Sequence, residues 1–258
     1  MSILYDEGQE AIATESRRAL EARVSKDDLL PLLEQSGTYH EGFWTTAKEQ
    51  GWTALALPEA YGGLDLGLVE LGLIAHQAGR SLSGAPFLTS SFGAAKAIDL
   101  YGSEAQKQRW LPGLASGETI GAVAFASGAD PLPDRPALTL TDDRLDGVAQ
   151  SVSGGLFADI AVVFANGPGM PVLVLADLSG INRKSVASFD NSRCIADLVF
   201  AGAPAETLAV GEAARAAAVM KSAAPSRDAA WMQLARASST RPYSSAIRCL
   251  IDWKAPIG

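Results

Sequence analysis

Few residues in this chain could do chemistry, and most of those lack a neighbour of the right kind. The two histidines, His40 and His76, stand far apart, and neither has a partner in sequence for a catalytic triad or a metal site. His40 follows Tyr39 just before a helix start and reads as a solvated loop residue. Cys194 and Cys249 have neither metal-ligand spacing nor the density of a disulfide framework, so they read as reduced thiols. Glu212 reads as a carboxylate in the first turn of a helix, where it favours the helix dipole; no catalytic residue is assigned. Two short segments remain. In Val152-Ser153-Gly154-Gly155, followed by Ala158-Asp159, a hydroxyl stands beside two glycines that permit close backbone approach. The same pattern also fits a glycine-bearing β-turn with an incidental serine, and both readings stay open. The second segment, Phe125-Ala126-Ser127 with Asp130 beyond it, offers backbone amides and one hydroxyl.

Composition narrows what these segments could serve. Lys+Arg at 21 against Asp+Glu at 29 leaves a net charge of −8, and no basic cluster longer than a pair occurs, which argues against a nucleic-acid surface. The 48% hydrophobic content and mean hydropathy of +0.11 are enough for a full core. The first residues lack a basic stretch followed by an apolar one, and no apolar run approaches a membrane span. The reading is a cytoplasmic protein with no membrane span.

The elements that must position these segments change type twice along the chain. Up to about residue 120 the pattern is helical. Ile3/Leu4, Ile12, Ala19/Leu20 and Val24 recur on one face of an amphipathic opening helix. A second helix runs from about Glu41 to Gln50 and stops at Gly51, where a left-handed C-cap is needed. Asp65 is placed to cap a third that ends near Gly79, a further helix lies near 88–101, and Ser103 with Gln106 makes a capping box for a helix through Trp110. Trp44, Trp52 and Trp110 read as core. Between 121 and 211, short runs at Ala137–Thr141, Ile160–Ala165, Val172–Ala176 and Ile195–Phe200 are separated by turn-forming residues. They predict an antiparallel sandwich or barrel and exclude an alternating dinucleotide fold. Residues 212–258 turn Ala-rich and helical, then irregular, with Pro225, Ser238-Ser239-Thr240 and Pro242 interrupting. The fold class is thus multi-domain α+β: an all-α domain over 1–120, a β domain over 121–211 and a partial helical region over 212–258.

The densest signal of the first half is the loop Pro58-Glu59-Ala60-Tyr61-Gly62-Gly63, a sharp connector between helices with Tyr61 over its corner. Gly79-Arg80, Gly102-Ser103-Glu104-Ala105-Gln106-Lys107 and Leu111-Pro112-Gly113-Leu114 through Gly117-Glu118 follow in that order. In these motifs and their order the chain resembles the acyl-CoA dehydrogenase family. The likeness continues through Asp190-Asn191-Ser192-Arg193, Ala196 to Phe200 and Pro204-Ala205, covering about residues 3–211.

The resemblance implies FAD as cofactor and an acyl-CoA thioester as substrate, dehydrogenated between its α and β carbons: a glutamate takes the α proton, and flavin N5 takes the β hydride. Electron-transfer flavoprotein is the implied acceptor. It also implies flavin-facing roles for two segments. Val152, Ser153 and Gly154 stand at the family's short aromatic-Ile-Thr/Ser element. Phe125, Ala126 and Ser127 stand at its Val-Thr-Glu loop, with a methyl at Ala126 where the family has a hydroxyl and Ser127 one residue on. Arg248, eight residues before Pro256, is similar to an arginine that reaches the FAD pyrophosphate of a neighbouring subunit. The family's third domain is a four-helix bundle that holds the catalytic glutamate, whereas the residues after Gly211 suffice for at most about two such helices. The resemblance therefore implies a C-terminally shortened member, by truncation or an altered reading frame. Such a chain would form a homo-oligomer, or a hetero-oligomer with a full-length family member that completes the site. The rival reading is a non-catalytic structural subunit or an inactive truncated product.

Overall fold

The computed structural model describes residues 5–34, 37–81, 86–126, 136–187 and 191–222. Seven α-helices and seven strands are found among them. α1 (Glu7–Arg23) is N-capped by Asp6 in a capping box with Gln9, and it buries Leu20 while its charged face stays in solvent. α2 (Lys26–Glu34) is a helix that the sequence reading did not mark; Pro31 lies inside it, and proline disfavours a helix interior. Its start was nevertheless written in the sequence. The Asp28 amide donates to Ser25 Oγ and the Ser25 amide to Asp28 Oδ2, the reciprocal bonds of a Ser-x-x-Asp box.

α3 (Glu41–Glu49) ends as predicted before Gly51, whose φ of 69° is left-handed. Its N-cap corrects the reading of His40. That side chain is buried rather than solvated, and its Nδ1 accepts from the Phe43 amide. Accepting at Nδ1 leaves the ring proton on Nε2, which is buried with no hydrogen-bond partner. The Pro58–Gly63 loop uses its two glycines for different reasons. Gly62 has φ 83° and closes a 3-10 turn, whereas a Cβ on Gly63 would lie 1.9 Å from the Leu57 carbonyl oxygen. Tyr61 covers the corner as expected and donates its hydroxyl to Glu104. α4 (Leu68–Arg80) corrects a second expectation: Gly67 is its N-cap, and Asp65 is held at φ 48° by the preceding turn, with its amide donating to the Leu57 carbonyl. The helix foreseen near 88–101 is a π-helix (Leu88–Ala94) running into α5 (Ala95–Tyr101). α6 (Glu104–Ser116) carries the predicted Ser103–Gln106 capping box. Trp44 and Trp52 are buried, but Trp110 is only half-buried, with the Arg109 guanidinium stacked over its ring at 4.4 Å.

The β region is a barrel. Strands β1 (Gly121–Ala124), β2 (Thr139–Thr141), β3 (Arg144–Val152), β4 (Ile160–Asn166), β5 (Pro171–Asp177), β6 (Asn182–Ser185) and β7 (Ala196–Val210) include three that the sequence reading did not mark: β1, β3 and β6. Pairing runs β4–β2–β3–β7–β5, and β5 returns to β4 to close the ring; β1 adds to β4 and β6 to β7. Most ladders are antiparallel as expected, but β1 and β2 both pair with β4 in parallel. β2 touches β4 only at Thr139↔Asn166, and there the Asn166 side chain donates to the Pro136 and Leu138 carbonyls, tying the seam.

Alternation on β4 shows how the layers meet. Ala161, Val163 and Ala165 belong to one core cluster together with Leu145, Ala149, Leu198 and Phe200 of the barrel. Ile160, Val162 and Phe164 point the other way, into a second cluster with Ile98, Leu111 and Leu114 of the helices and with Ala214 and Ala217 of α7 (Gly211–Ser222). A strand buried on both faces reads as an unbroken apolar run, which is why Ile160–Ala165 was legible. The helices close on the barrel at very short range. A Cβ on Gly121 would lie 2.4 Å from Ala94 Cβ, and the Gly121 amide donates to Ser90 Oγ. No helix among the described residues is long and apolar enough to cross a membrane.

Candidate functional site

The Ser153 turn joins β3 to β4 and is built by its own backbone. The Gly155 amide donates to the Val152 carbonyl, and the Phe157 and Ala158 amides donate to the Gly154 carbonyl. Gly154, at φ 74°, donates its amide to the Arg193 carbonyl, and Ser153 Oγ donates to the same oxygen at 3.4 Å. That long hydroxyl bond leaves the oxygen's lone pairs free to accept from a ligand. Ser153 is half-buried, so its hydroxyl is within reach of solvent, whereas Val152 points into the barrel core.

The glycines serve the protein itself. A Cβ on Gly154 would lie 2.9 Å from Pro86 Cβ and 3.1 Å from Thr89 Oγ1; one on Gly155 would lie 3.0 Å from the Val152 carbonyl oxygen. Close approach is therefore required, as the sequence suggested, but the surfaces that approach are the start of the π-helix segment and the turn's own strand. The helical layer touches the turn again through Tyr39, whose ring meets Phe157 edge-on at 4.8 Å.

The second segment lies at the other end of β1. Gly121 pairs with Ile160 just after the Ser153 turn, so Phe125 stands about four strand rises, roughly 13 Å, further along. Phe125 packs its ring into the core cluster under the helices, and Ala126 is half-buried. The two described residues of this segment, Phe125 and Ala126, carry no side-chain hydroxyl. Ser127, Asp130 and Arg248 lie outside the described residues, as do Cys249 and the Ser/Pro interruptions after residue 222. The structure thus brings Ser153 and Gly154 together in one turn and sets Phe125 and Ala126 apart from them along β1, a separation suited only to an extended ligand. The donor set fits a flavin in kind, with a hydroxyl at one end and main-chain groups at the other, and the Asp159 carboxylate between them is engaged by the Ile120 amide.

The sequence reading missed the side chains that hold the turn in place. Asp197 Oδ1 accepts from the Ser151 amide at 2.9 Å, and Ser151 takes φ 54° to make that bond. Arg183 donates to the Gly155, Leu156 and Leu178 carbonyls. The signal for Asp197 lay in the Ala196–Phe200 alternation, which sets it on the solvent face; nothing in sequence announced Arg183. Away from the turn, a broad concavity of about 1060 Å³ runs past Arg109, Trp110, Asp142, Asp177 and Glu206 and includes none of the predicted site residues. Its charges are largely engaged already: Arg109 pairs with Glu206, and Asp177 accepts from the Ser179 amide. The Ser179 hydrogen bonds hold the Asp177 carboxyl below its usual pKa.

Comparison with known proteins follows the same division of the chain. Residues 6–118 match the family model for the acyl-CoA dehydrogenase, N-terminal domain. A probable acyl-CoA dehydrogenase of Bacillus subtilis (strain 168) is 36% identical over 135 residues, which are 48% of this chain and 22% of that protein. The solved Tcur3481-Tcur3483 steroid ACAD G363A variant superposes with a TM-score of 0.72 at 26% identity, covering 84% of this chain and 60% of that one. A glutaryl-CoA dehydrogenase from Mycobacterium smegmatis in complex with FADH2 shares the fold, with a TM-score of 0.72 at 23% identity over 85% of this chain and 60% of its own. The chain spans about a fifth of the Bacillus relative and three fifths of each solved chain.

Proposed function

We propose that the chain, whose residues 6–118 match the acyl-CoA dehydrogenase, N-terminal domain, is a member of the acyl-CoA dehydrogenase family and an FAD-binding subunit acting in the α,β-dehydrogenation of an acyl-CoA thioester. One observation carries the reading. The helical domain leads into a closed barrel whose β3–β4 turn holds a half-exposed hydroxyl, Ser153, at the place in chain order where the family keeps its flavin-facing one.

In this reading Ser153 meets one edge of the flavin through its hydroxyl, while main-chain groups at Phe125, Ala126 and Ser127 meet the other. Gly154 holds the turn against Pro86 and Thr89, and Arg248 serves the pyrophosphate of a neighbouring subunit. Bound FAD supplies the hydride acceptor. The protein's part is to fix the ring relative to the thioester and to shield it from water. Glu212 is exposed in the first turn of α7 and carries no role, so the base comes from elsewhere in the assembly. Pairing of unlike chains is supported by the Tcur3481-Tcur3483 neighbour, whose name joins two proteins. Electron-transfer flavoprotein is the proposed acceptor.

A second reading, a supporting subunit without turnover of its own, is favoured by Ala126, whose methyl cannot donate where the family has a hydroxyl. The two readings separate in one experiment. The chain is purified alone and after co-expression with a full-length relative, its flavin absorbance is recorded, and acyl-CoA is added without oxygen. Bleaching of bound flavin supports the dehydrogenase; flavin that stays oxidised supports the supporting subunit.

A further inference from the structure

We propose that Arg183 is a positioning residue for the Ser153 turn and sets the affinity of the site for FAD; this rests on the functional reading above. β6 is a short polar edge strand, and Arg183 is its one half-buried residue. Its guanidinium turns back over the barrel rim. Nη1 donates to the Leu156 carbonyl at 2.8 Å and to the Gly155 carbonyl at 3.3 Å, and Nη2 donates to the Leu178 carbonyl at 3.0 Å.

These carbonyls belong to two different connections, β3–β4 and β5–β6, which the Leu178 amide also ties by donating to the Asp159 carbonyl at the end of the β4–β5 ladder. A planar fork with fixed donor directions can hold two loops at a set distance, which a flexible ammonium cannot do. The turn's other anchors fix its near side: the Arg193 carbonyl holds Gly154 and Ser153, and Asp197 holds the Ser151 amide. On its far side Tyr39 packs against Phe157, and Arg183 holds the Gly155 and Leu156 carbonyls by hydrogen bonds. Without it the Gly155–Leu156 carbonyls turn to solvent and the Ser153 hydroxyl loses its fixed direction. Arg183 touches no ligand in this scheme; it acts through Ser153.

The test uses the full chain, or the co-expressed complex, stripped of flavin and titrated with FAD by quenching of flavin fluorescence. Ser153→Ala is expected to weaken FAD binding about tenfold and Arg183→Gln by several-fold. The double variant should bind no more weakly than Ser153→Ala, because both changes remove the same interaction. Arg144 donates to the Gly202 carbonyl at the opposite end of β3, so Arg144→Gln loses a similar backbone clamp and should leave FAD affinity unchanged. The absorption band of bound flavin should shift in Arg183→Gln and not in Arg144→Gln. If Arg183→Gln fails to fold, Arg183→Lys decides, since it keeps the charge but not the fork; wild-type affinity in a folded variant overturns the proposal. Additive losses in the double variant overturn it too. Failure of the unaltered, folded protein to take up FAD would instead refute the functional reading on which the proposal rests.

Discussion

At the scale of single residues, the account turns on groups whose purpose shows only in three dimensions. Gly62 and Gly63 are neighbours with different duties. Gly62→Ala places a side chain at φ 83° in ordinary contact with Ala115 Cβ and should cost about 1 kcal/mol, whereas Gly63→Ala drives a Cβ into the Leu57 carbonyl and should cost several times more. Chemical denaturation of the two variants checks the order. Asp177 offers a pH-dependent counterpart. Its folded pKa is depressed below 3.8 by the Ser179 hydrogen bonds, so its contribution is complete above the ordinary carboxylate range and fades as pH falls through the folded value. Asp177→Ala should therefore lower the melting temperature at pH 7 and have less effect near pH 3. Ser153 was legible from sequence as a hydroxyl beside glycines. The reason for Gly154 was not, because Pro86 and Thr89, which crowd it, lie more than sixty residues away.

At the scale of elements, what could be read followed the strength of the local signal. The Ser103–Gln106 box and the Gly51 stop were legible because capping depends on a few adjacent residues, and the structure bears both out. α2 carries opposed local signals, Pro31 inside it against the Ser25–Asp28 box at its start, and the sequence reading did not mark it. Ser25→Ala and Ser103→Ala should each cost about 1 kcal/mol, which for a protein of this size is about 2–4 °C in melting temperature, read by calorimetry. Gly121-Ala-Val-Ala is short and small, so β1 carries little β signal of its own; it exists because β4 offers a parallel edge and the π-helix leaves room for nothing larger. Gly121→Val should destabilise by about 1–3 kcal/mol through overpacking against Ala94. β3 was hidden by the charged and polar residues on its solvent face. Asn182-Arg-Lys-Ser has no strand pattern, and its place on the sheet comes from pairing with β7 and from the reach of Arg183. The parallel pairings escaped notice because register between distant strands is a property of barrel closure rather than of any one segment.

At the scale of the whole molecule, helices and barrel share one packing problem: β4 faces the barrel interior on one side and α5, α6 and α7 on the other. The Ser153 turn sits where the two layers meet, touched by the π-helix segment at Gly154 and by Tyr39 at Phe157, so a ligand held there would be fixed by both. The central claim is that this arrangement binds flavin. It is tested most directly by the visible absorbance of the purified, folded chain, alone and co-expressed with a full-length relative, with mass read by light scattering on the same samples. The account predicts the bands of oxidised flavin in a defined oligomer in at least one of the two preparations, and their loss of intensity in Ser153→Ala. A folded chain of defined mass that carries no flavin in either preparation, and takes none up on addition of FAD, would contradict it.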